Sequence, residues 1–134
     1  AACNFAAFQQ TLPLRDQSSA RVVQEQRADD ECRAVVRAIC TGNEGFAPRW
    51  WQLLPRFLRG SYITYDGILY KQGEAGALRI FVPKALRDSL VWSYHSGPLG
   101  AHLGSDRIYS QLRRRYSWPG MREDIKRLVQ GCLS

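Results

Sequence analysis

The stretch HSGPLGAHLG, residues 95–104, holds both histidines of a 134-residue chain, His95 and His102, with six residues between them. Two imidazoles held this close by the chain can share a metal, assist a nucleophile, or cap helices and pack. Cys132 offers matching chemistry from a distant segment. Neutral imidazole and thiolate are the ligands zinc favours, in a tetrahedral set of four that clips segments together. The chain ends GCLS, so a C-x-x-C pair starting at Cys132 would need its second cysteine at the position after Ser134.

The elements that must position these residues can be read from periodicity. KALRDSLVWSYH has helical spacing through Leu86, Leu90 and Tyr94, which puts His95 at or just past a helix end. Ser105 is the expected N-cap of a helix over SDRIYSQLRRRY, with Ile108 and Leu112 facing inward. A last helix, MREDIKRLVQGC, aligns Met121, Ile125, Leu128 and Val129 and carries Cys132 to its C-terminal end. Roughly 50 residues bury little surface by themselves, so a unit of this size needs a metal or a neighbour.

Upstream, ADDECRAVVRAICTGN places Cys32, Val35, Val36 and Ile39 on one helical face, with acids first and Gly42 last. RWWQLLPRFLRG reads as a strongly apolar helical segment bent at Pro55 and belonging to the core. YITY, ILYK and LRIFV read as an antiparallel meander with an Asp66-Gly67 turn, stopped at Pro83. Residues 1–28 have weak periodicity and allow only a short helix. The expected class is α+β: an extension over 1–83, helices plus meander, then a three-helix, helix-turn-helix-like zinc-binding unit over 84–134.

Composition narrows the partners. Residues 61–134 carry eleven Lys or Arg against six acids, a bias that favours a polyanion over a membrane surface. Arg107, Arg113, Arg114, Arg115, Arg122, Lys126 and Arg127 gather on the last two helices and form the candidate nucleic-acid surface, with contacts to phosphates. No run is long and apolar enough to span a bilayer, and AACNFAAF lacks the basic region of a signal peptide, so an intracellular protein is expected. In a reducing compartment Cys3, Cys32 and Cys40 are expected as thiols, Cys32 and Cys40 as buried ones; none is placed by local spacing to complete the zinc set. Trp118 and Tyr116 allow either stacking on bases or a packing corner between two helices.

From residue 60 onward the chain resembles the N-terminal region of integrases of gypsy-type LTR retrotransposons and related retroviruses. Asp66, Gly67, Leu69 and Tyr70 match that family's "dGlLY" strand, and Val82, Pro83, Leu86 and Arg87 its "VP..lr" segment. His95, His102, Leu103 and Gly104 match its two-histidine loop, with Ala101 where the family more often has glycine. Tyr116, Trp118, Pro119, Gly120 and Met121 match its "yyWPgM" turn, and Cys132 the first cysteine of its closing C-x-x-C.

The resemblance implies one zinc ion held by His95, His102 and Cys132, with the fourth ligand missing at a gene boundary. It implies DNA as a partner, self-association, no membrane and no small-molecule substrate, in the nucleus or a virus-like particle. It also implies no catalysis by this chain, since integrase chemistry resides in a separate core with three carboxylates. The alternative is a protein-interaction domain that keeps the scaffold and has lost metal and DNA binding.

Overall fold

The computed structural model describes residues 17–95 and 104–133. The first element is a helix, α1, over Gln17–Ala28, firmer than the weak sequence pattern implied. Its inward stripe is Ser19, Val22 and Gln26, spaced i, i+3, i+7, so among its described side chains two of the three buried ones are polar. Helix α2 follows over Asp30–Thr41, where Asp29 caps the start by accepting the Cys32 N–H at 2.9 Å. Gly42 ends it in the left-handed conformation, its N–H donating to the Ala38 carbonyl at 2.9 Å.

The Trp-rich segment forms two short helices, α3 over Arg49–Leu53 and α4 over Arg56–Arg59. Leu54 between them is extended, as the residue before a proline prefers to be. The expectation that the whole segment is core is corrected here. Trp51 is buried, but Leu53 and Phe57 are exposed, because helices this short bury one side and the bend at Pro55 turns the next one away.

Strands β1 (Tyr62–Tyr65), β2 (Ile68–Gln72) and β3 (Leu78–Phe81) form the expected antiparallel meander. Asp66 and Gly67, with φ of 53° and 76°, make the tight turn between Tyr65 and its partner Ile68. After β3 come α5 (Lys84–His95) and α6 (Ser105–Leu112). A fourth strand, β4 (Tyr116–Ser117), and the last helix, α7 (Met121–Leu133), complete the chain. Gly104, not Ser105, is the N-cap of α6, and Ser105 is its first helical residue.

Strand β4 was not foreseen. It lies parallel to β3, giving the order β1-β2-β3-β4, with the Ile80 N–H donating to the Arg115 carbonyl at 2.7 Å and the Val82 N–H to the Ser117 carbonyl at 3.0 Å. Both faces of the sheet are covered, as strand alternation allows. One face sends Ile68, Tyr70, Leu78 and Ile80 into a core shared with α1, α5, α6 and α7. The other sends Tyr62, Leu69 and Phe81 against α2 and Trp51. The larger core runs from Val22 to Val129, so it draws on residues from both sides of Pro83.

Candidate metal centre and basic helical surface

His95 is the last residue of α5, four residues after the buried Val91 and so on the same helical face. It is 3% exposed, with its ring centroid 5.6 Å from that of Trp92. Burial at a helix terminus matches an imidazole held for a fixed partner and not one merely solvated on a surface. Cys132 stands in the last turn of α7, three residues after the buried Val129 and seven after the buried Ile125. Helices α5 and α7 meet directly, and Leu90, Val91, Ile125 and Val129 belong to one core. His102 and the Cys132 side chain lie outside the described residues. Among the described residues no three histidine, cysteine or acidic side chains gather to hold a metal.

The donor chemistry fits zinc at the level of residue type: two imidazoles and one thiol from segments that adjoin the α5–α7 unit. Cys32 is not a substitute ligand. It is buried under α2 in the core around Trp51, and burial, reinforced by the neighbouring Asp29 carboxylate, pushes its thiol well above the usual range. Cys40, expected as a buried thiol, is disulfide-bonded and half-buried, with the Thr64 Oγ1 3.4 Å from its sulfur. Cys3 lies outside the described residues.

The basic residues sit on α6, on α7 and on the turn joining α6 to β4. The two helices pack through Ile108, Leu112, Met121 and Ile125. Arg107, Arg114, Arg115, Arg122, Lys126 and Arg127 are exposed, and Arg113 is half-buried. The Tyr109 ring organises two of them, with the Arg113 guanidinium 5.5 Å and the Arg122 guanidinium 5.6 Å from its centroid. Arg122 also pairs with Asp106 at 3.7 Å and Arg127 with Asp124 at 3.6 Å. Exposed pairs of this kind contribute little, so a phosphate can compete for either arginine.

Trp118 resolves as a packing corner. It is buried, and its Nε1–H donates to Asp124 Oδ2 at 3.0 Å, tying the turn to the first part of α7. Gly120 in the same turn has φ 75°, which lets the chain reverse into the helix. Arg87 completes the corner, a role that sequence reasoning missed beyond its place in the matched motif. Its guanidinium lies 5.6 Å from the Phe81 ring centroid and 5.9 Å from that of Trp118, while its Nε–H donates to the Val82 carbonyl at 3.0 Å. Burial pulls the Arg87 pKa below the ordinary arginine value, an effect opposed chiefly by Asp124.

Comparison with known proteins agrees with this geometry. Residues 82–134 match the family model described as the integrase zinc binding domain. The matched span opens at Val82, immediately after β3, and takes in α5, α6, β4 and α7. The chain is also similar to zinc finger and BTB domain-containing protein 11 of Mus musculus, at 24% identity over 114 residues. That alignment covers 78% of this chain and 11% of the relative, so the chain corresponds to a small part of that protein. Residues 82–134 of this chain are an integrase-like zinc-binding domain.

Proposed function

We propose that this chain is a non-catalytic module of integrase descent, of the type carried by gypsy-like LTR retrotransposons, that binds nucleic acid and self-associates in a zinc-dependent way. The observation that carries the reading is the coincidence of the matched span with the α5–α7 unit. In that unit a buried His95 ends one helix, and Cys132 falls in the last turn of another packed against it. His95, His102 and Cys132 would hold one zinc ion, with a fourth ligand at the position following Ser134 in a longer form. Bound there, zinc supplies a cross-link that adds directly to folding free energy.

The protein's own residues supply the rest. Arg107, Arg114 and Arg115 on the α6 side and Arg122, Lys126 and Arg127 on α7 neutralise phosphates, and Tyr109 holds Arg113 and Arg122 in fixed positions. Binding through such contacts depends on salt and little on sequence. The relative's name, a zinc finger protein, supports the metal part of this reading. A nuclear or virus-like-particle location follows from a DNA partner.

The test is zinc per chain by elemental analysis, on this chain and on one extended by a cysteine after Ser134, with duplex-DNA affinity followed across salt. One zinc per extended chain, lost in His95→Ala, together with a steep salt slope, is the expected result. Zinc absent from both forms would sink the metal reading and favour an interaction domain that keeps only the scaffold.

A further inference from the structure

Among the described residues, the exposed surface carries an apolar feature that the zinc and nucleic-acid reading leaves unused. Phe46, Leu53 and Phe57 are 74%, 70% and 79% exposed, and Leu58 beside them is also exposed. They stand on three successive segments: the turn after α2, the end of α3 and the start of α4. Single exposed apolar side chains are ordinary, and it is several of them carried on segments held together that mark an interaction site.

The three segments are fixed to one another by a single residue. Arg59 donates from Nη1 to Glu44 Oε2 at 3.1 Å, from Nη2 to the Gln52 carbonyl at 2.9 Å and from Nε to the Leu54 carbonyl at 3.1 Å. Gln52 adds a bond from its Nε2 to the Ala47 carbonyl at 2.9 Å. Each bonded residue is within two positions of Phe46, Leu53 or Phe57. The three apolar side chains therefore project from a braced knot, which lowers the ordering cost of binding.

Charge around the knot selects the occupant. Glu44, the one acid in the knot, is already paired with Arg59. Arg49, one helical turn from Leu53, and Arg56, next to Phe57, are exposed. A groove beside Phe46 is lined by Arg33 and Arg37 of α2, together with Asp30, which pairs with Arg33. The apolar centre thus has a positive rim. A second copy of the chain would bring like charges face to face across a two-fold interface. A single strand of nucleic acid stacks on Phe46 and Phe57 at most, and the aliphatic Leu53 and Leu58, half of the exposed apolar side chains here, give a base no platform.

We propose that the surface built on Phe46, Leu53 and Phe57 docks an acidic, amphipathic segment of a partner protein. Leucine or phenylalanine anchors of that segment cover the apolar centre, and its Asp or Glu residues meet Arg37, Arg49 and Arg56. The inference is independent of zinc and of the α6–α7 surface.

The experiment is an NMR titration of the whole chain with a synthetic helical peptide that carries leucines at i, i+3, i+4 and i+7 and glutamates elsewhere. A control peptide has lysine for every glutamate. Amide shifts confined to residues 44–59 and the adjoining face of α2 are expected, with affinity at least tenfold weaker for the lysine peptide. Phe46→Ser with Phe57→Ser, and separately Arg49→Glu with Arg56→Glu, are expected to weaken binding tenfold or more while leaving the thermal midpoint near that of the parent. These side chains are exposed, so folding is retained. Equal binding of the two peptides, shifts centred on α6 and α7, or no shifts at millimolar peptide overturns the proposal. So does an oligothymidine that occupies the same residues more tightly, or a concentration-dependent dimer that buries them.

Discussion

Gln26 and Leu69 exchange a pair of hydrogen bonds. The Leu69 N–H donates to Gln26 Oε1 at 2.8 Å, and Gln26 Nε2 donates to the Leu69 carbonyl at 2.9 Å. The same nitrogen donates to the Phe81 carbonyl at 2.6 Å. The β2–β3 register, Tyr70 with Ile80, would next oppose Leu69 to Phe81, and the Gln26 amide occupies that rung. A side chain of α1 thereby takes the part of a peptide group in the sheet.

Replacing Gln26 by Met keeps length and apolar stem but leaves three buried backbone groups without their partner. A loss of about 3 kcal/mol or more is expected, at about 1–3 kcal/mol for each unsatisfied group if relaxation is incomplete. Urea unfolding measures it; a loss below about 1 kcal/mol would show that the amide is not needed for the sheet.

Two glycines separate backbone strain from helix propensity. Gly120 has φ 75° with nothing within 4 Å of a built Cβ, so Gly120→Ala meets strain but no clash and is expected to destabilise by about 1 kcal/mol. Gly131 lies in α7 with equal space, and Gly131→Ala is expected to stabilise by about 0.5–1 kcal/mol. Opposite signs of change in thermal midpoint are the signature, and a shift of the same sign at both sites contradicts this account.

Tyr70 gives a pH prediction. Its hydroxyl is buried without a hydrogen-bond partner among the described residues, and burial pushes its pKa from 10.0 up to about 12. The unfolded chain loses this proton first, so the contribution is fully present below pH 10 and is lost as pH rises toward 12. Tyr70→Phe is expected to be neutral or stabilising at pH 8. Through the alkaline window its stability falls less steeply than the parent's, by about 1.4 kcal/mol per pH unit. Parallel stability curves for the two proteins between pH 9 and 11.5 would count against the burial argument.

For the basic helices, Arg113→Gln with Arg122→Gln is expected to flatten the log–log salt dependence of duplex binding by about 0.9 per lost phosphate contact. Lys84→Gln, an exposed change at the start of α5, serves as the control. If the control flattens the slope as much, binding is set by net charge and not by the face that Tyr109 organises.

The sequence was most legible where one rule dominated. Period and caps located α2, the Asp66-Gly67 turn located the meander, and five short motifs in order pointed to the zinc-binding domain. Helix α1 was hard to see because Ser19 and Gln26 fill buried positions on its inward stripe, and an apolar periodicity does not register them. Strand β4 is two residues long, below the length at which alternation can be read, and exists because β3 offers a partner. The Trp-rich segment misled for the opposite reason: its apolar residues are too many for one side of two short helices. Of the candidate site, the placement of His95 at the end of α5 was readable, whereas the corner built by Arg87 and Trp118 depends on contacts between segments 31 residues apart in sequence.

The parallel pairing of β3 with β4 bears on how such a module can be moved between genes. The strand that ends just before the matched span donates the Ile80 N–H to the Arg115 carbonyl beyond α6 and sets Ile80 and Phe81 beside Tyr116 and Ser117, while the bond from Val82 to the Ser117 carbonyl lies inside the span. A transplant cut at the motif's first residue leaves its short strand without the neighbour it was shaped against. The smallest inheritable piece is therefore longer than the zinc motif and includes the hairpin in front of it. Fusion partners that supply a substitute strand edge escape this constraint, and others do not.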